Sequence, residues 1–349
     1  MAPGVSIVIP TWDGLLLLKR FLPSVVLAAA EYTRRSSAPV EIVVVDDGST
    51  DETCLWLAGE ISNLKSRISN PELRVIKNET NLGFAKTCNR GVRAASHGLV
   101  FLLNNDVEVE SDSIAPLVED FSDPSVFAAH CRVIELESGE ECGTGKVGGF
   151  GRGFFRVHRS YVPRTSHEGA CAGPLHSMFA GGGSAMFDRE KFLRIGGFDE
   201  LLSPFYWEDV ELSYRAWKRG YTVLYEPRSV ARHRVSSTIG KLKRQRVRRI
   251  EKRNRLLFHW INLHDGGMLA SHVAWVALLA LTAPLRLNPG FLSSLAAAIR
   301  LLPEARKRRA EEKRAAKLSD RDVLRVFKEL AARPDVVAYD HREEIDAGG

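Results

Sequence analysis

Apolar, strand-like runs alternate with helical stretches through the first hundred residues, and this alternation constrains the possible folds more than any other feature of the chain. Strands are predicted at 5–10, 40–45, 73–76 and 99–103, with helices at 15–31, just after residue 51 and at 84–95. Strands that are almost wholly apolar and are separated by helices are typical of a parallel sheet covered by helices on both faces. The predicted fold class is therefore α/β.

The middle of the chain is predicted to be less regular. Glycine is frequent at 139–153, which indicates a flexible loop or a hairpin, and 179–187 is predicted to be a strand interrupted by glycines. Glycine inside a strand often allows another backbone or a ligand to approach closely. A helix is predicted at 209–217, ending before Gly220.

Charge and hydropathy change after residue 236. The segment 241–255 has nine basic residues and one acidic residue, in a chain whose net charge is +6. Such an asymmetry indicates an anionic partner, either a membrane surface or nucleic acid. The apolar run at 268–285 is close to the roughly 20 residues that a membrane-spanning helix needs. Two alternatives remain for it, a spanning helix or a helix that lies at an interface or packs on protein.

The cysteines and the amino terminus indicate a cytosolic protein. Five cysteines are scattered without a Cys-x-x-Cys pattern, which favours reduced thiols. They are Cys54, Cys88, Cys131, Cys142 and Cys171. The chain enters a predicted strand at residue 5, without the charged flank and long apolar region of a secretory signal, so no such signal is expected.

Polar side chains follow two of the predicted strands directly. Asp46 and Asp47 follow the second strand, and Asp106 follows the strand at 99–103. Open α/β sheets bind ligands at this edge, where an acid can accept hydrogen bonds from a ribose or a nucleobase. The alternative for the first pair is turn formation and helix capping. Gly83, at the start of the next helix, fits either a diphosphate site or simple packing.

Three features further along the chain also suggest chemistry. Glu208 and Asp209 open a helix, where they serve either as caps or as a general base. His233 is either a surface histidine between two arginines or a metal ligand that shares an ion with Asp106. Trp207 is placed either to stack on a sugar or to pack in the core.

Taken in order, these motifs resemble those of family 2 glycosyltransferases over roughly residues 5–260. The motifs are Ser6-Ile7-Val8-Ile9-Pro10-Thr11, Val45-Asp46-Asp47-Gly48-Ser49, Asn81-x-Gly83-Phe84-Ala85, Leu103-Asn104-Asn105-Asp106, Gly196-Gly197-Phe198-Asp199-Glu200, Glu208-Asp209-Val210-Glu211-Leu212 and Gly220-Tyr221. The chain is most similar to the rhamnosyltransferase-like branch of bacterial surface polysaccharide assembly. The resemblance implies a GT-A fold, with a Rossmann-like, mostly parallel sheet and flanking helices. It divides the chain into a nucleotide-binding half at 1–107, an acceptor-binding half at 108–235 and a helical, basic and apolar extension at 236–349.

The resemblance also implies roles for individual residues. Asp209 is the expected catalytic base, with Glu208 beside it, and Asp106 and His233 are the expected ligands of Mn²⁺ or Mg²⁺. The expected nucleotide-sugar contacts are Thr11, Asp13, Asp46, Asp47, Asn81, Gly83, Phe84 and Asn105, and the expected acceptor contacts are Gly182, Gly183 and Trp207. Two residues depart from the family pattern, because Asp13 stands where asparagine is usual and Asn104 stands where the metal motif often has an acid.

The implied activity is inverting, metal-dependent sugar transfer from a nucleotide-diphospho-sugar, with dTDP-rhamnose favoured. The implied acceptor is a glycan or a polyprenyl-linked glycan at the cytoplasmic face of the inner membrane, with peripheral membrane contact. The segment 245–249 lacks the tryptophan of the processive Gln-x-x-Arg-Trp motif, so addition of one or a few sugars is expected. A nucleotidylyltransferase is less favoured because 10–14 has no basic residue. Nucleic-acid binding is less favoured because 241–255 has no interleaved aromatic residues.

Overall fold

The computed structural model describes residues 2–67, 72–163, 173–234, 244–284 and 289–340. The strands are β1 Val5–Thr11, β2 Val40–Asp46, β3 Glu72–Lys77, β4 Leu99–Leu103, β5 Val107–Val109, β6 Val126–Glu135, β7 Glu141–Gly143, β8 Gly145–Gly151, β9 Phe154–Pro163, β10 Leu175–His176, β11 Ser184–Asp188, β12 Thr222–His233 and β13 Val336–Asp340. The helices are α1 Leu15–Ser36, α2 Thr53–Arg67, α3 Phe84–Ala94, α4 Ile114–Asp120, α5 Arg189–Arg194, α6 Glu208–Lys218, α7 Arg244–Asn262, α8 Gly266–Thr282, α9 Pro289–Arg300, α10 Leu302–Ala315 and α11 Asp320–Ala331.

One large mixed sheet forms the centre of the molecule, in the order β10-β12-β6-β11-β4-β1-β2-β3. The neighbours from β4 to β3 are parallel, as are β6 and β12, whereas β11 runs antiparallel to both β4 and β6. The predicted α/β class with a mostly parallel sheet is confirmed. Because four parallel strands end at one edge, the residues that follow them are brought together there.

The central strands are buried on both faces because helices cover both sides of the sheet. Every residue of β2 and β4 is buried, and two separate apolar clusters lie above and below these strands. Helix α3 packs very closely, since a Cβ atom at Gly91 would lie 2.3 Å from Val8 Cγ1. This close contact fixes the start of α3 at the edge where the parallel strands end.

The glycine-rich middle segments fold in two different ways. The region 139–153 forms β7, β8 and the turn into β9, so the predicted hairpin is confirmed. The predicted strand at 179–187 is wrong in its first half, because regular pairing begins only at Ser184. The glycines before Ser184 form an irregular segment whose backbone is used by other groups, as described below.

The carboxyl-terminal helices pack on the rest of the molecule. Strand β13 pairs with β9 in a second sheet, and α11 contacts both that sheet and α6. The carboxylate of Asp320 at the start of α11 accepts hydrogen bonds from Tyr214 and Lys218 of α6 and from the backbone N–H groups of His264 and Asp265. The start of α11 is therefore bonded directly to the helix that carries Asp209.

Most of the predicted apolar run, from Met268 to Thr282, lies in α8; Ala283 and Pro284 follow the helix, and Leu285 lies outside the described residues. Within the described ranges, none of the helices combines the length and the hydropathy that a membrane crossing requires. His272, the titratable residue inside this helix, is fully buried against the turn between β8 and β9 and donates to Gly153 O over 2.7 Å.

Candidate active site

Residues from several motifs meet at the edge where the parallel strands end. Thr11 ends β1, and its hydroxyl accepts a hydrogen bond from Asn105 Nδ2, just after β4, over 2.8 Å. A Cβ atom at Gly14 would lie 2.3 Å from Thr11 Oγ1, so only glycine leaves room for this contact. The structure therefore brings together the ends of two neighbouring strands that are 94 residues apart in sequence.

Asp46 and Asp13 are joined through Ser49. Asp46 is fully buried at the end of β2, and its carboxylate accepts hydrogen bonds from the Ser49 hydroxyl and the Cys54 thiol. Asp13 donates its backbone N–H to Ser49 Oγ over 2.9 Å and accepts the N–H of Thr50 at 2.7 Å. The aspartate at position 13 therefore holds the turn after β2, and nucleotide contacts by these two acids stay a prediction.

Asp47 holds the loop that precedes α3. Its two carboxylate oxygens accept the backbone N–H groups of Leu82 and Gly83, each at 2.9 Å, and Oδ1 also accepts from Asn78 at 2.7 Å. Gly83 has a φ of 86°, a conformation that favours glycine. Asp47 therefore positions this loop, and its nucleotide contact stays a prediction.

The predicted metal-binding pair is in contact. His233 ends β12, and its Nε2 lies 3.1 Å from Oδ1 of the nearly buried Asp106. Burial by itself would lower the pKa of His233, but hydrogen bonds with Asp106 and with Cys142 raise it to about 9. Cys142 lies on β7 and was not predicted from the sequence, because nothing in its local pattern distinguishes it. Within the described part of the chain, no cluster of three or more metal-binding side chains is present.

The irregular glycine segment connects Asp209 to the metal motif. Asn104 donates its backbone N–H to Gly183 O over 2.9 Å, and Ala180, in the same segment, donates its N–H to Ser213 Oγ of α6 over 3.1 Å. The backbone of Gly182 lowers the pKa of Asp209 on that helix. A Cβ atom at Gly183 would lie 2.5 Å from Asn104 Nδ2. The segment 180–183 is thus hydrogen-bonded both to the strand end that carries Asp106 and to the helix that carries Asp209.

The two acids that open α6 have different environments. Burial, followed by the charge of Asp209, raises the pKa of Glu208 to about 8. Burial also raises the pKa of Asp209, to about 6, although the backbone N–H groups of Val210 and Gly182 stabilise its ionised form. The Asp209 carboxylate accepts the Val210 N–H over 2.7 Å, whereas Glu208 Oε2 is buried without a hydrogen-bond partner, so Asp209 is the better proton acceptor.

Lys146 is a second residue at the site that the sequence did not reveal. It lies on β8, where its ammonium donates to Ser160 Oγ over 2.8 Å. Burial lowers the pKa of Lys146 to about 8, and the charge of Asp209 opposes this shift. Its positive charge in turn favours the ionised form of Asp209. Only the folding of the hairpin brings β8 next to α6.

The loop before Asp209 has a strained backbone that α7 holds in place. Tyr206 and Trp207 have φ values of 71° and 74°, which are rare for bulky residues. Asn254 of α7 is fully buried, and its Nδ2 lies 2.5 Å from Leu202 O, 2.9 Å from Phe205 O and 2.8 Å from Tyr206 O. One amide group thus fixes the segment that leads into the two acids.

Replacing Asn254 by alanine is expected to reduce kcat by about 10²-fold, because a displacement of about 1 Å in a catalytic group has an effect of that size. Asn262→Ala is the matched control, since Asn262 is a buried asparagine of the same helix that contacts Glu211 and Phe258 rather than this loop. Steady-state kinetics at a temperature where both variants are folded tests the prediction. An equal loss of kcat in both variants would contradict it.

Trp207 packs against protein. Its ring lies 5.2 Å from that of Phe258 and 5.8 Å from the guanidinium of Arg255. These contacts favour the core-packing alternative, and an acceptor contact by Trp207 stays a prediction. The third acid of the motif, Glu211, is fully buried and pairs with Arg215, whose guanidinium also donates to the backbone at Ile195 and Gly197. Glu211 therefore supports the fold around the site.

A family profile described as "Glycosyl transferase family 2" matches residues 6–196, which is more than half of the chain. The chain belongs to glycosyl transferase family 2. Family membership confirms the predicted class of enzyme, a glycosyltransferase, and disfavours the nucleotidylyltransferase and nucleic-acid alternatives. The rhamnosyltransferase-like branch is a finer assignment that the family match leaves open.

Curated relatives of this family 2 chain include two poly-beta-1,6-N-acetyl-D-glucosamine synthases. The Staphylococcus epidermidis protein is 25% identical over 246 residues, which are 70% of this chain and 53% of the relative. The Staphylococcus aureus (strain COL) protein is 26% identical over 209 residues, which are 60% of this chain and 46% of the relative. The chain thus spans about half the length of the curated relatives it matches.

Three solved structures share the fold of this family 2 chain. GalNAc-T7 with UDP, GalNAc and Mn²⁺ has a TM-score of 0.55 at 23% identity, over 74% of this chain and 48% of that one. The mannosyltransferase PcManGT from Pyrobaculum calidifontis, with GDP-Man and Mn²⁺, has a TM-score of 0.51 at 20% identity, over 94% of this chain and 87% of that one. S. aureus TarS with UDP-GlcNAc has a TM-score of 0.53 at 14% identity, over 93% of this chain and 92% of that one. These likenesses confirm the predicted GT-A fold.

Proposed function

We propose that this chain catalyses the metal-dependent, inverting transfer of a sugar from a nucleotide-diphospho-sugar to a hydroxyl group of a glycan or lipid-linked glycan in cell-surface polysaccharide synthesis. The observation that carries the proposal is the Asp106–His233 pair at a sheet edge whose neighbouring glycine segment is hydrogen-bonded both to Asn104 and to Ser213 of α6, the helix that begins with Glu208 and Asp209. A proton acceptor and a cation site at one sheet edge are the two groups that this reaction needs.

The contact between Asp106 and His233 fits a divalent cation. Their facing atoms are 3.1 Å apart. Adjacent ligands of an octahedral ion are separated by about 3 Å when each metal–ligand distance is about 2.1 Å. A carboxylate with an imidazole suits Mn²⁺ at least as well as Mg²⁺. When bound, the ion would neutralise the negative charge that develops on the departing diphosphate.

Asp209 takes the proton in the proposed reaction. Asp209 is a half-buried residue, and its carboxylate accepts the Val210 N–H over 2.7 Å, which favours the ionised form. It removes the proton of the acceptor hydroxyl as the oxygen attacks the anomeric carbon from the face opposite the diphosphate. This single displacement inverts the anomeric configuration. Burial and the charge of Asp209 favour the protonated, uncharged form of Glu208, so no second negative charge lies next to Asp209.

The donor sugar is best identified with a panel of nucleotide sugars. The motif resemblance favours dTDP-rhamnose, whereas solved relatives of the same fold were determined with UDP-GlcNAc and GDP-Man. Release of nucleoside diphosphate is measured for each donor with and without Mn²⁺. We expect cation-stimulated release with one of these donors. Release of pyrophosphate from a nucleoside triphosphate instead would support a nucleotidylyltransferase and contradict the proposal.

Acceptor and location are proposed from the relatives and from the extension. The curated relatives are named for synthesis of a poly-N-acetylglucosamine, which supports a glycan as the acceptor here. The basic helix α7 and the apolar helix α8 support a peripheral position on the cytoplasmic face of the inner membrane, where a polyprenyl-linked acceptor would be accessible.

Replacing His233 by alanine is expected to weaken Mn²⁺ binding at least about 10-fold, because removal even of groups that support a ligand costs 10–100-fold. Calorimetric titration of Mn²⁺ in the presence of a nucleoside diphosphate measures this without turnover. His176→Ala is the control, since that exposed histidine packs against Trp217. Unchanged Mn²⁺ affinity in His233→Ala would remove His233 from the proposed site.

A further inference from the structure

Helices α8 and α9 expose an unusually apolar surface. Helix α8 contains no Asp, Glu, Lys or Arg, and the side of it that faces solvent consists of Ala270, Val273, Ala274, Ala277, Leu278 and Leu281. These positions recur every three or four residues and so form one continuous stripe on the helix. Leu281 is 78% exposed and Val273 is 58% exposed.

The opposite side of α8 is anchored in the protein. His272 is fully buried, its ring stacks on that of His259 at 4.6 Å, and Trp275 packs with the cluster formed by α7 and Phe154. The orientation of α8 is thus fixed by contacts on one face, and the exposed stripe is not a result of a loosely attached helix.

Helix α9 also exposes apolar side chains. Leu295 and Ala298 of α9 pack toward α7, whereas Leu292 and Ile299 are exposed, Ile299 by 52%. Soluble proteins rarely expose large apolar side chains in adjoining groups, and such patches mark interaction sites. We call the exposed residues of α8 and α9 together the apolar face.

Positive charge flanks the apolar face. The exposed Arg300 ends α9 directly after Ile299, and the following α10 exposes Arg306, Lys307 and Arg308. Helix α7, which contacts both α9 and α10, exposes Arg244, Arg246, Arg248 and Arg249 at its start. Apolar side chains bordered by Lys and Arg are complementary to a bilayer that contains anionic lipid.

We propose that the apolar face is a membrane-docking surface, with its leucines, valine and isoleucine inserted among the acyl chains of an anionic bilayer. The inference deepens the proposed function, because it identifies the surface by which the enzyme reaches a lipid-linked acceptor. Arg300, Arg306 and Lys307 contact the lipid phosphates, whereas Arg308 pairs with Asp199 and Glu311. Neither a spanning helix nor a folded lipid-binding domain is required for this arrangement.

Flotation with vesicles tests the docking surface. The full-length wild type is expected to float with vesicles of phosphatidylglycerol and phosphatidylethanolamine, and much less with phosphatidylcholine alone or in 1 M NaCl. The double variant Leu278→Glu, Leu281→Glu is expected to lower the partition coefficient at least about 10-fold, because two apolar side chains are lost from the acyl region. Point variants are preferable to removal of the extension, which would also remove Asp320.

The matched control is the double variant Leu27→Glu, Leu55→Glu, whose leucines are exposed by 64% and 75% on α1 and α2. It is expected to float like the wild type. The proposal would be overturned if the α8 variant floated as well as the wild type, or if the control variant lost as much vesicle binding as the α8 variant. The proposal would also fail if, in sedimentation without lipid, the wild type were a dimer and the α8 variant a monomer, because the apolar face would then bind a second copy of the chain. Nucleoside diphosphate release without vesicles should be unchanged in both variants, which separates this test from that of the proposed function.

Discussion

Replacing Asp209 by asparagine is expected to lower kcat by about 10²–10⁴-fold, the usual contribution of a general base, while donor binding is retained. Asparagine keeps the size of the side chain but has no lone pair that can accept a proton at neutral pH. Turnover is measured as nucleoside diphosphate release at saturating acceptor, and donor affinity by calorimetry. Loss of donor binding would instead show that Asp209 has a structural role.

Glu208→Gln is the matched control for Asp209→Asn. Burial and the neighbouring charge keep Glu208 mostly protonated at pH 7, so glutamine is a close substitute and the loss of kcat should be small. If Glu208→Gln were inactive and Asp209→Asn active, the two roles would be exchanged. In the wild type, kcat/KM should fall as the pH falls through about 6, because the base becomes protonated.

Replacing Asp320 by alanine is expected to lower the free energy of unfolding by about 3–5 kcal/mol, since the buried ammonium of Lys218 would lose its partner. The two groups are 2.6 Å apart, and both are almost completely buried. Urea denaturation measures the change. The matched control is Arg321→Ala, which breaks a mostly exposed ion pair with Asp265 and should cost at most about 1 kcal/mol. Equal losses of unfolding free energy in the two variants would contradict the stabilising role of the buried Asp320–Lys218 pair.

The pH dependence of this pair follows from the shifts in both partners. Burial alone would raise the pKa of Asp320, but Lys218, Tyr214 and backbone N–H groups lower it below its ordinary value. At Lys218, burial outweighs the attraction of Asp320 and lowers the pKa. When folding lowers the pKa of a carboxyl group, the folded state is stabilised at pH values above the pKa of that group in the unfolded chain, about 3.9. This stabilisation is lost as the pH falls through the lower pKa of the folded protein. The difference between wild type and Asp320→Ala should therefore be constant from about pH 5 to 7 and shrink below about pH 4.

The sequence predicted the sheet well because its strands are encoded locally. The runs at 40–45 and 99–103 are apolar at every position, and they become the fully buried β2 and β4. The end of α1 was placed too early, at residue 31, whereas the helix continues to Ser36 and ends at Ser37 in a left-handed conformation. Nothing in the local pattern marks that end, because the last turn is polar and mostly solvated.

The error at 179–187 had a different cause. A glycine-interrupted apolar run satisfies the pattern of a strand, yet the backbone groups of Ala180 and Gly183 bond to Ser213 and Asn104 instead. Those partners are distant in sequence. The same holds for Asn254, Cys142 and Lys146, whose roles at the site depend on contacts made by other elements.

The sequence by itself determined which strands are buried, which acids follow them and which family the motifs resemble, because each of these depends on residues that are close along the chain. The tertiary structure alone decided that Asp106 contacts His233, that Glu208 is buried next to Asp209, and that α8 turns an apolar face to solvent. The physical reason is that hydrogen bonding, burial and pKa depend on neighbours in space, and these neighbours come from distant chain segments, as with Asp106 and His233, which are 127 residues apart.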